Sequence, residues 1–265
     1  MKQFAARLVI LALCLAAPAL GVRADEAVPP RPLRIAIYSD AGTSKSRQNV
    51  LKVLKDLPHL TVEPVLVDDV VAGRLDGFDV VIHPGGSGGG QGRALGEDGR
   101  KQVRRFIEQG GGYVGVCAGA YLATCDYEWS LNVLDAKVVD RKHWARGFGN
   151  VDIALTEQGR RLLDADCQTL TIYYHQGPLL APAGNPDIDD YEPLAIYEGE
   201  IAEKGAPRGV MPGTTAIAAG RHGNGRVICF SPHPERTPGW EKLLVRGVTW
   251  AARKAKTQAP SPRSE

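Results

Sequence analysis

One cysteine stands between two glycines at a point where an apolar run ends. The segment Gly115-Val116-Cys117-Ala118-Gly119 follows Tyr113–Val116 and opens a small-residue stretch, Ala118–Thr124. A strand that turns abruptly into a helix strains its central residue, and bulk two positions to either side would clash, so glycine is needed there. The spacing predicts a nucleophile elbow with Cys117 at its tip. A thiol raised at a helix N-terminus is favoured as the reactive thiolate. Far along the chain, Val227–Phe230 reads as a buried strand leading into Ser231-Pro232-His233-Pro234-Glu235. In an extended backbone, positions 233 and 235 share a side, so the carboxylate can hold the imidazole tautomer while flanking prolines limit its movement. Nucleophile, base and orienting acid are the parts of a covalent acyl-transfer site. Cys117, His233 and Glu235 are therefore the candidate catalytic residues.

A third element is His83-Pro84-Gly85-Gly86-Ser87-Gly88-Gly89-Gly90. As a loop after a parallel strand, it can bring backbone N–H groups to a ligand. The Gly86 and Ala118 amides are the expected oxyanion hole. Neither a phosphate-loop pattern G-x-x-x-x-G-K-[ST] nor a dinucleotide G-x-G-x-x-G after a strand is present. Candidate substrate contacts are Ser87, Tyr121, His175 and Gln176, with Arg146 as a cation for a substrate carboxylate. His143 has no metal-ligand spacing, and neither metal nor cofactor is expected.

These residues need a sheet to carry them. Short apolar runs alternate with helical segments from Leu33 onward, as in a parallel sheet covered on both faces. Strands are expected at Arg34–Tyr38, Thr61–Val67, Asp79–His83 and Tyr113–Val116. Helices are expected at Ser44–Leu57, with Val50, Leu51, Val53, Leu54 and Leu57 on one side, and at Glu97–Gln109, stopped by Gly110–Gly112. The second half supplies strands at Val133–Val139, Val151–Leu155, Thr169–Tyr173, Pro193–Tyr197, Thr215–Ala219 and Val227–Phe230, several as an antiparallel extension. A closing helix spans Gly239–Arg253. The expected fold is α/β, a flavodoxin-like doubly wound sheet, mostly parallel, in one domain over 34–253. The tail 254–265 is expected to be disordered.

The chain has 265 residues, 43% hydrophobic and 23% charged, which excludes disorder and fibrous classes. Lys2, Arg7, the apolar Leu8–Leu20 and Val22-Arg23-Ala24 are laid out as a signal peptide cleaved after Ala24, followed by a Pro-rich linker, 25–33. A retained membrane anchor is the alternative, for which the run is short. The mature protein would be periplasmic or secreted and would meet a membrane only during export. Cleavage would leave 29 basic against 30 acidic residues, a net charge of −1 instead of +2. That near-neutral balance gives no reason to expect a nucleic-acid partner. Cys117, Cys125, Cys167 and Cys229 would remain, without CxxC pairs. Cys125 with Cys167 is the expected disulfide if one forms; free buried thiols are the alternative.

With these elements in order, the chain resembles the class I glutamine amidotransferase-like superfamily, and more narrowly the biotin-protein ligase N-terminal domain type. The segments that carry the resemblance are Tyr38–Ser44, Pro84–Gly86, Gly110–Tyr121 and His233–Glu235, within a span from Arg34 to Arg253. The resemblance implies Cys117 as nucleophile, His233 as base and Glu235 as orienting acid. No ATP motif is present, and no ligase module is expected. Ala118 stands where the DJ-1-like branch has His, and Cys117 where the dipeptidase-like branch has Ser. Exported relatives include γ-glutamyl hydrolases, so a small-molecule or peptide amide is the expected substrate. A glutaminase subunit serving a separate partner and a catalytically silent binding protein are the alternatives.

Overall fold

The computed structural model describes residues 31–253, so the segments expected to be a signal peptide and a disordered tail, and most of the expected linker, lie outside the described residues. The chain runs β1 (Leu33–Tyr38), α1 (Ser46–Leu54), β2 (Leu60–Val65), α2 (Val67–Val71), β3 (Val80–His83), α3 (Gly88–Glu108), β4 (Gly112–Val116) and α4 (Ala118–Ala123). It continues through β5 (Ala136–Val138), β6 (Phe148–Leu155), α5 (Glu157–Leu163), β7 (Thr169–His175), β8 (Leu180–Pro182), β9 (Glu192–Tyr197), β10 (Thr215–His222), β11 (Gly225–Phe230) and α6 (Glu241–Ala251). The sheet order is β2-β1-β3-β4-β11-β10-β9-β6-β7. The first five strands are parallel in the flavodoxin-like order. The remaining four pair antiparallel, with β8 and β5 branching from β10. The expected fold and its antiparallel extension are both present.

Two-faced burial explains why the central strands read as unbroken apolar runs. In β1, Leu33, Ile35 and Ile37 enter one core, and Ala36 and Tyr38 the other. Ile228 and Phe230 of β11 join the first core, and Val227 and Cys229 the second. Helices α1 and α6 cover the first face with Val50, Leu54, Leu243, Leu244 and Val248, whereas α3 covers the second with Leu95, Val103, Phe106 and Ile107. No helix of the described residues is long and apolar enough to cross a membrane.

Several expectations are corrected. Helix α1 starts at Ser46, because Ser44 gives its backbone N–H and hydroxyl to the Gly85 carbonyl (3.0 and 2.9 Å). Leu51 faces solvent, at 36% exposure. The Gly-rich loop is shorter than expected, because Ser87 caps a helix by accepting from the Gly90 N–H at 3.0 Å. The glycines of that first turn allow close packing: a Cβ at Gly88 would lie 2.9 Å from Tyr121 Cβ, and one at Gly92 2.3 Å from the Trp129 carbonyl. Close approach overrides poor helix propensity here. Gly96, at φ 61°, breaks α3 in its middle. Helices α2 and α5 and strand β8 were not expected; Thr156 starts α5 by accepting from the Gly159 N–H at 3.0 Å. No disulfide joins the four described cysteines. The Cys125 thiol donates to the Leu134 carbonyl (3.1 Å) at the second core, while Cys167 packs on the first, so the sheet separates them.

His83, at the end of β3, is fully buried and stacked between Tyr38 and Tyr113, with ring centroids 4.9 and 5.5 Å away. Gln91 donates to the Pro84 carbonyl (2.8 Å), so its oxygen faces His83 and accepts from Nδ1–H at 2.9 Å. Nε2 has no partner among the described residues. Burial pushes the imidazole down to about 4, with the Gln91 hydrogen bond only partly opposing it. The unfolded chain thus binds this proton more readily. Stability from neutral His83 is full above pH 6.5 and lost as pH falls toward 4, by about 3 kcal/mol. Urea denaturation at pH 7 and pH 4 should show this loss, and His83→Phe, which keeps the stack without the titration, should lack that part of it.

Candidate active site

Parallel strands deliver the site at their C-terminal ends, on the edge where open α/β sheets bind ligands. Cys117 follows β4 with φ 50° and ψ −96°, a backbone strained by about 1–3 kcal/mol for a residue with a side chain. Its N–H donates to the Phe230 carbonyl at 2.7 Å, which ties the elbow to β11. The two flanking glycines touch each other: a Cβ at Gly115 would lie 2.6 Å from the Gly119 carbonyl, and one at Gly119 2.0 Å from the His83 oxygen. Cys117 is 6% exposed, and its sulfur lies 3.3 Å from the His175 carbonyl oxygen.

His233 follows β11, its N–H donating to the Tyr173 carbonyl (2.8 Å) and its carbonyl accepting from Thr237 Oγ1 (2.8 Å). The extended backbone expected beyond it is absent, because Pro234–Arg236 form a 3₁₀ turn. The turn folds the carboxylate back toward the ring, and His233 Nδ1–H donates to Glu235 Oε1 at 2.7 Å. The same oxygen accepts from Ser46 Oγ at 2.8 Å, and Ser46 Oγ accepts from the Gly85 N–H at 2.9 Å. Gly85 has to be small, since a Cβ there would stand 2.9 Å from His233 Cε1. Ser46 is a site residue that sequence reasoning missed. It lies 189 positions from Glu235, and no local pattern connects the two.

Burial disfavours a charge on His233, but the negative charges of Glu235 and the Cys117 sulfur outweigh it and raise the imidazole to about 10. His233 Nε2 has no hydrogen-bond partner among the described residues. Cys117 and His233 share the wall of a cavity of about 800 Å³. An imidazolium beside a cysteine is the arrangement that stabilises a nucleophilic thiolate.

Of the other expected residues, Gly86, Ser87, Tyr121, His175 and Gln176 line this cavity, while Ala118 and Glu235 lie buried behind it. Gly86 bridges to Thr43 through the Ser87 N–H and the Gly85 carbonyl, which leaves its own N–H out of the bridge. Ala118 opens α4, so its N–H is among those a helix cannot pair internally. Arg146 does not reach the cavity; it is 1% exposed and ion-paired with Asp140. The cavity cations are instead Lys45, Arg93, Arg141 and Arg236, scattered in sequence. No group of three or more His, Cys, Asp or Glu side chains among the described residues is placed to hold a metal.

Comparison with known proteins bears on the fold of the chain. The family model described as "Biotin-protein ligase, N terminal" matches residues 33–147. That biotin-protein ligase N-terminal match takes in Ser46, Gly86 and Cys117 and stops short of His233 and Glu235. The fold is of the class I glutamine amidotransferase-like kind. A chain from the structure of PurLQS from Thermotoga maritima is 17% identical with a TM-score of 0.60, covering 83% of this chain and 99% of that one. A putative ThuA-like protein from Parabacteroides merdae is 12% identical with a TM-score of 0.58, covering 87% and 94%. A cytoplasmic protein from Salmonella typhimurium is 12% identical with a TM-score of 0.53, covering 84% and 100%. At these identities the likeness is one of fold. No curated protein matches by sequence.

Proposed function

We propose that this protein is an exported amidase that cleaves a C–N bond, γ-glutamyl or peptide-like, through a thioester on Cys117. The observation that carries the reading is that a strained, positive-φ cysteine shares one cavity with an imidazole whose Nδ1 is held by a buried carboxylate. The Cys117 sulfur attacks the amide carbonyl, and the oxyanion is met by the Gly86 and Ala118 amides. As the C–N bond breaks, His233 gives its Nε2 proton to the leaving amine. Water then adds to the thioester while Nε2 takes its proton, the C–S bond breaks, and acid and free enzyme are released. Export rests on the layout of residues 1–24.

The test has two arms. Iodoacetamide at neutral pH should label Cys117 ahead of Cys125 and Cys167, and this preference should vanish in His233→Ala. A panel of γ-glutamyl and peptidoglycan-derived amides should contain one turned over by the native protein and not by Cys117→Ala. A Cys117 no more reactive than an ordinary thiol, with no Cys117-dependent turnover, would instead mark a binding protein on an amidase scaffold.

Ser46 acts in this scheme as a positioning residue. Its hydroxyl anchors Glu235 to the Gly85 amide and so fixes the carboxylate under His233. Losing a hydrogen bond to a charged group costs about 1.5–3 kcal/mol. Ser46→Ala is therefore expected to lower kcat by roughly ten- to a hundredfold with KM little changed. Steady-state kinetics check this; a pure KM effect would mean that Ser46 touches substrate.

A further inference from the structure

The cavity has a one-sided charge. Lys45, Arg93, Arg141 and Arg236 line it, and no aspartate or glutamate does. Elsewhere on the surface, arginines pair closely with acids, as Arg100 and Arg104 do with Glu97 at 2.6 Å. In contrast, no carboxylate lies within ion-pair distance of Lys45, Arg93 or Arg236 among the described residues, and Arg141 reaches Asp126 only at 4.0 Å. Cations held together without counter-charges repel one another and create a strong local potential for an anion.

The cations fall on the two sides of the sheet edge from which Cys117 projects. On the α1 face, the Arg236 guanidinium lies over the Tyr173 ring at 4.1 Å, with Nη1 3.5 Å from His175 Nδ1. Lys45 joins it there, next to the Ser46 that bonds Glu235. Burial, then the positive charges of His233, Arg236 and Lys204, hold His175 below its ordinary value, consistent with an excess of cations on this side. On the α3 face, Arg141 lies over the Tyr127 ring at 4.3 Å, and that ring stacks on Trp129 at 4.3 Å. Arg93 lies against Gly89 in the first turn of α3. Guanidinium groups fixed over aromatic rings keep their fork free for a carboxylate.

We propose that the cavity selects amides carrying a carboxylate on each side of the scissile bond, one met by Arg236 and Lys45 and the other by Arg93 and Arg141. The assignment rests on the amidase reading for the place of the scissile bond. It excludes substrates with a basic group near the cleaved amide, which these cations would repel.

Binding can be read separately from chemistry by calorimetry on full-length Cys117→Ala, with γ-glutamylglycine and γ-glutamylmethylamide as probes. The second carboxylate should tighten binding by at least roughly tenfold, and half-molar salt should remove most of that gain. Arg93→Gln with Arg141→Gln should abolish the preference between the two probes, and Arg236→Gln should weaken both. Equal binding of the two probes, or a preference that survives the double substitution, overturns the proposal. The same probe offered to the native protein separates the two readings: binding without hydrolysis would sink the amidase and leave the charge selection standing, whereas turnover of neutral amides would do the reverse.

Discussion

His233→Ala is expected to lower kcat/KM by a factor on the order of 10⁶, and Glu235→Gln by about 10⁴, with Cys117→Ala no worse than the first. The ranking follows from position. In the proposed reaction Cys117 bonds the reacting carbon and His233 moves the protons, so removing either ends covalent chemistry. Glu235 acts on the reaction only through His233 Nδ1, with Ser46 holding it in place, so its amide leaves a base that is present but free to adopt the wrong tautomer. The three losses should not add, because the residues act as one unit. The pH profile gives a second and sharper readout. His233 is raised to about 10 by Glu235 and the Cys117 sulfur against the opposing effect of burial. The imidazolium therefore persists up to that pH, and the upper limb of kcat/KM should fall near pH 10. In Glu235→Gln burial remains and one raising charge is gone, so that limb must move to lower pH. An upper limb that stays in place, or rises, would mean that Glu235 does not hold the proton on His233.

How much of this was legible in the sequence depends on how local the cause is. Steric rules tied to neighbours in the chain were readable: glycines 115 and 119 announce the turn at Cys117, and unbroken apolar runs announce strands buried on both faces. Causes that act through space were not. Ser46 reads as an ordinary residue near a helix start, and only the folded sheet brings it to Glu235. Arg146 is a cation in the right stretch of chain, and its neighbour Trp144 lines the cavity, but the Arg146 side chain turns inward to Asp140. Glycine-rich composition suggested a loop over residues 88–90, whereas packing against Tyr121 and Trp129 makes it the first turn of α3. The His233–Glu235 contact was expected for the wrong reason. A 3₁₀ turn makes it, since proline at 234 is well suited to the first position of such a turn.

Gly119→Ala should be the most damaging single methyl group that the elbow can receive. Its Cβ would stand 2.0 Å from the His83 carbonyl oxygen and 2.9 Å from His83 Cβ. Neither can yield cheaply: His83 is clamped between two tyrosine rings, and its strand pairs with β4 opposite Gly115. Relief requires α4 to lift from the sheet, which breaks the hydrogen bond from the Tyr113 hydroxyl to the Gly119 carbonyl at 2.8 Å. The cost should reach or exceed the upper end of the ~1–3 kcal/mol typical of overpacking. Gly96→Ala is the control, because its Cβ would meet nothing within 4 Å, and only the backbone at φ 61° and ψ −172° resists, at about 1–3 kcal/mol. Denaturant unfolding of the two variants makes the comparison, and a Gly119→Ala protein no less stable than Gly96→Ala would refute the packing at the elbow. The functional consequence is separable from the stability loss. A lifted α4 carries away the contacts that hold Cys117 at φ 50°, so thiol reactivity should fall even under conditions where the variant remains folded. Strain at a nucleophile persists only while its surroundings leave it no alternative, and at this elbow the His83 carbonyl, packed against Gly119, is what removes the alternative.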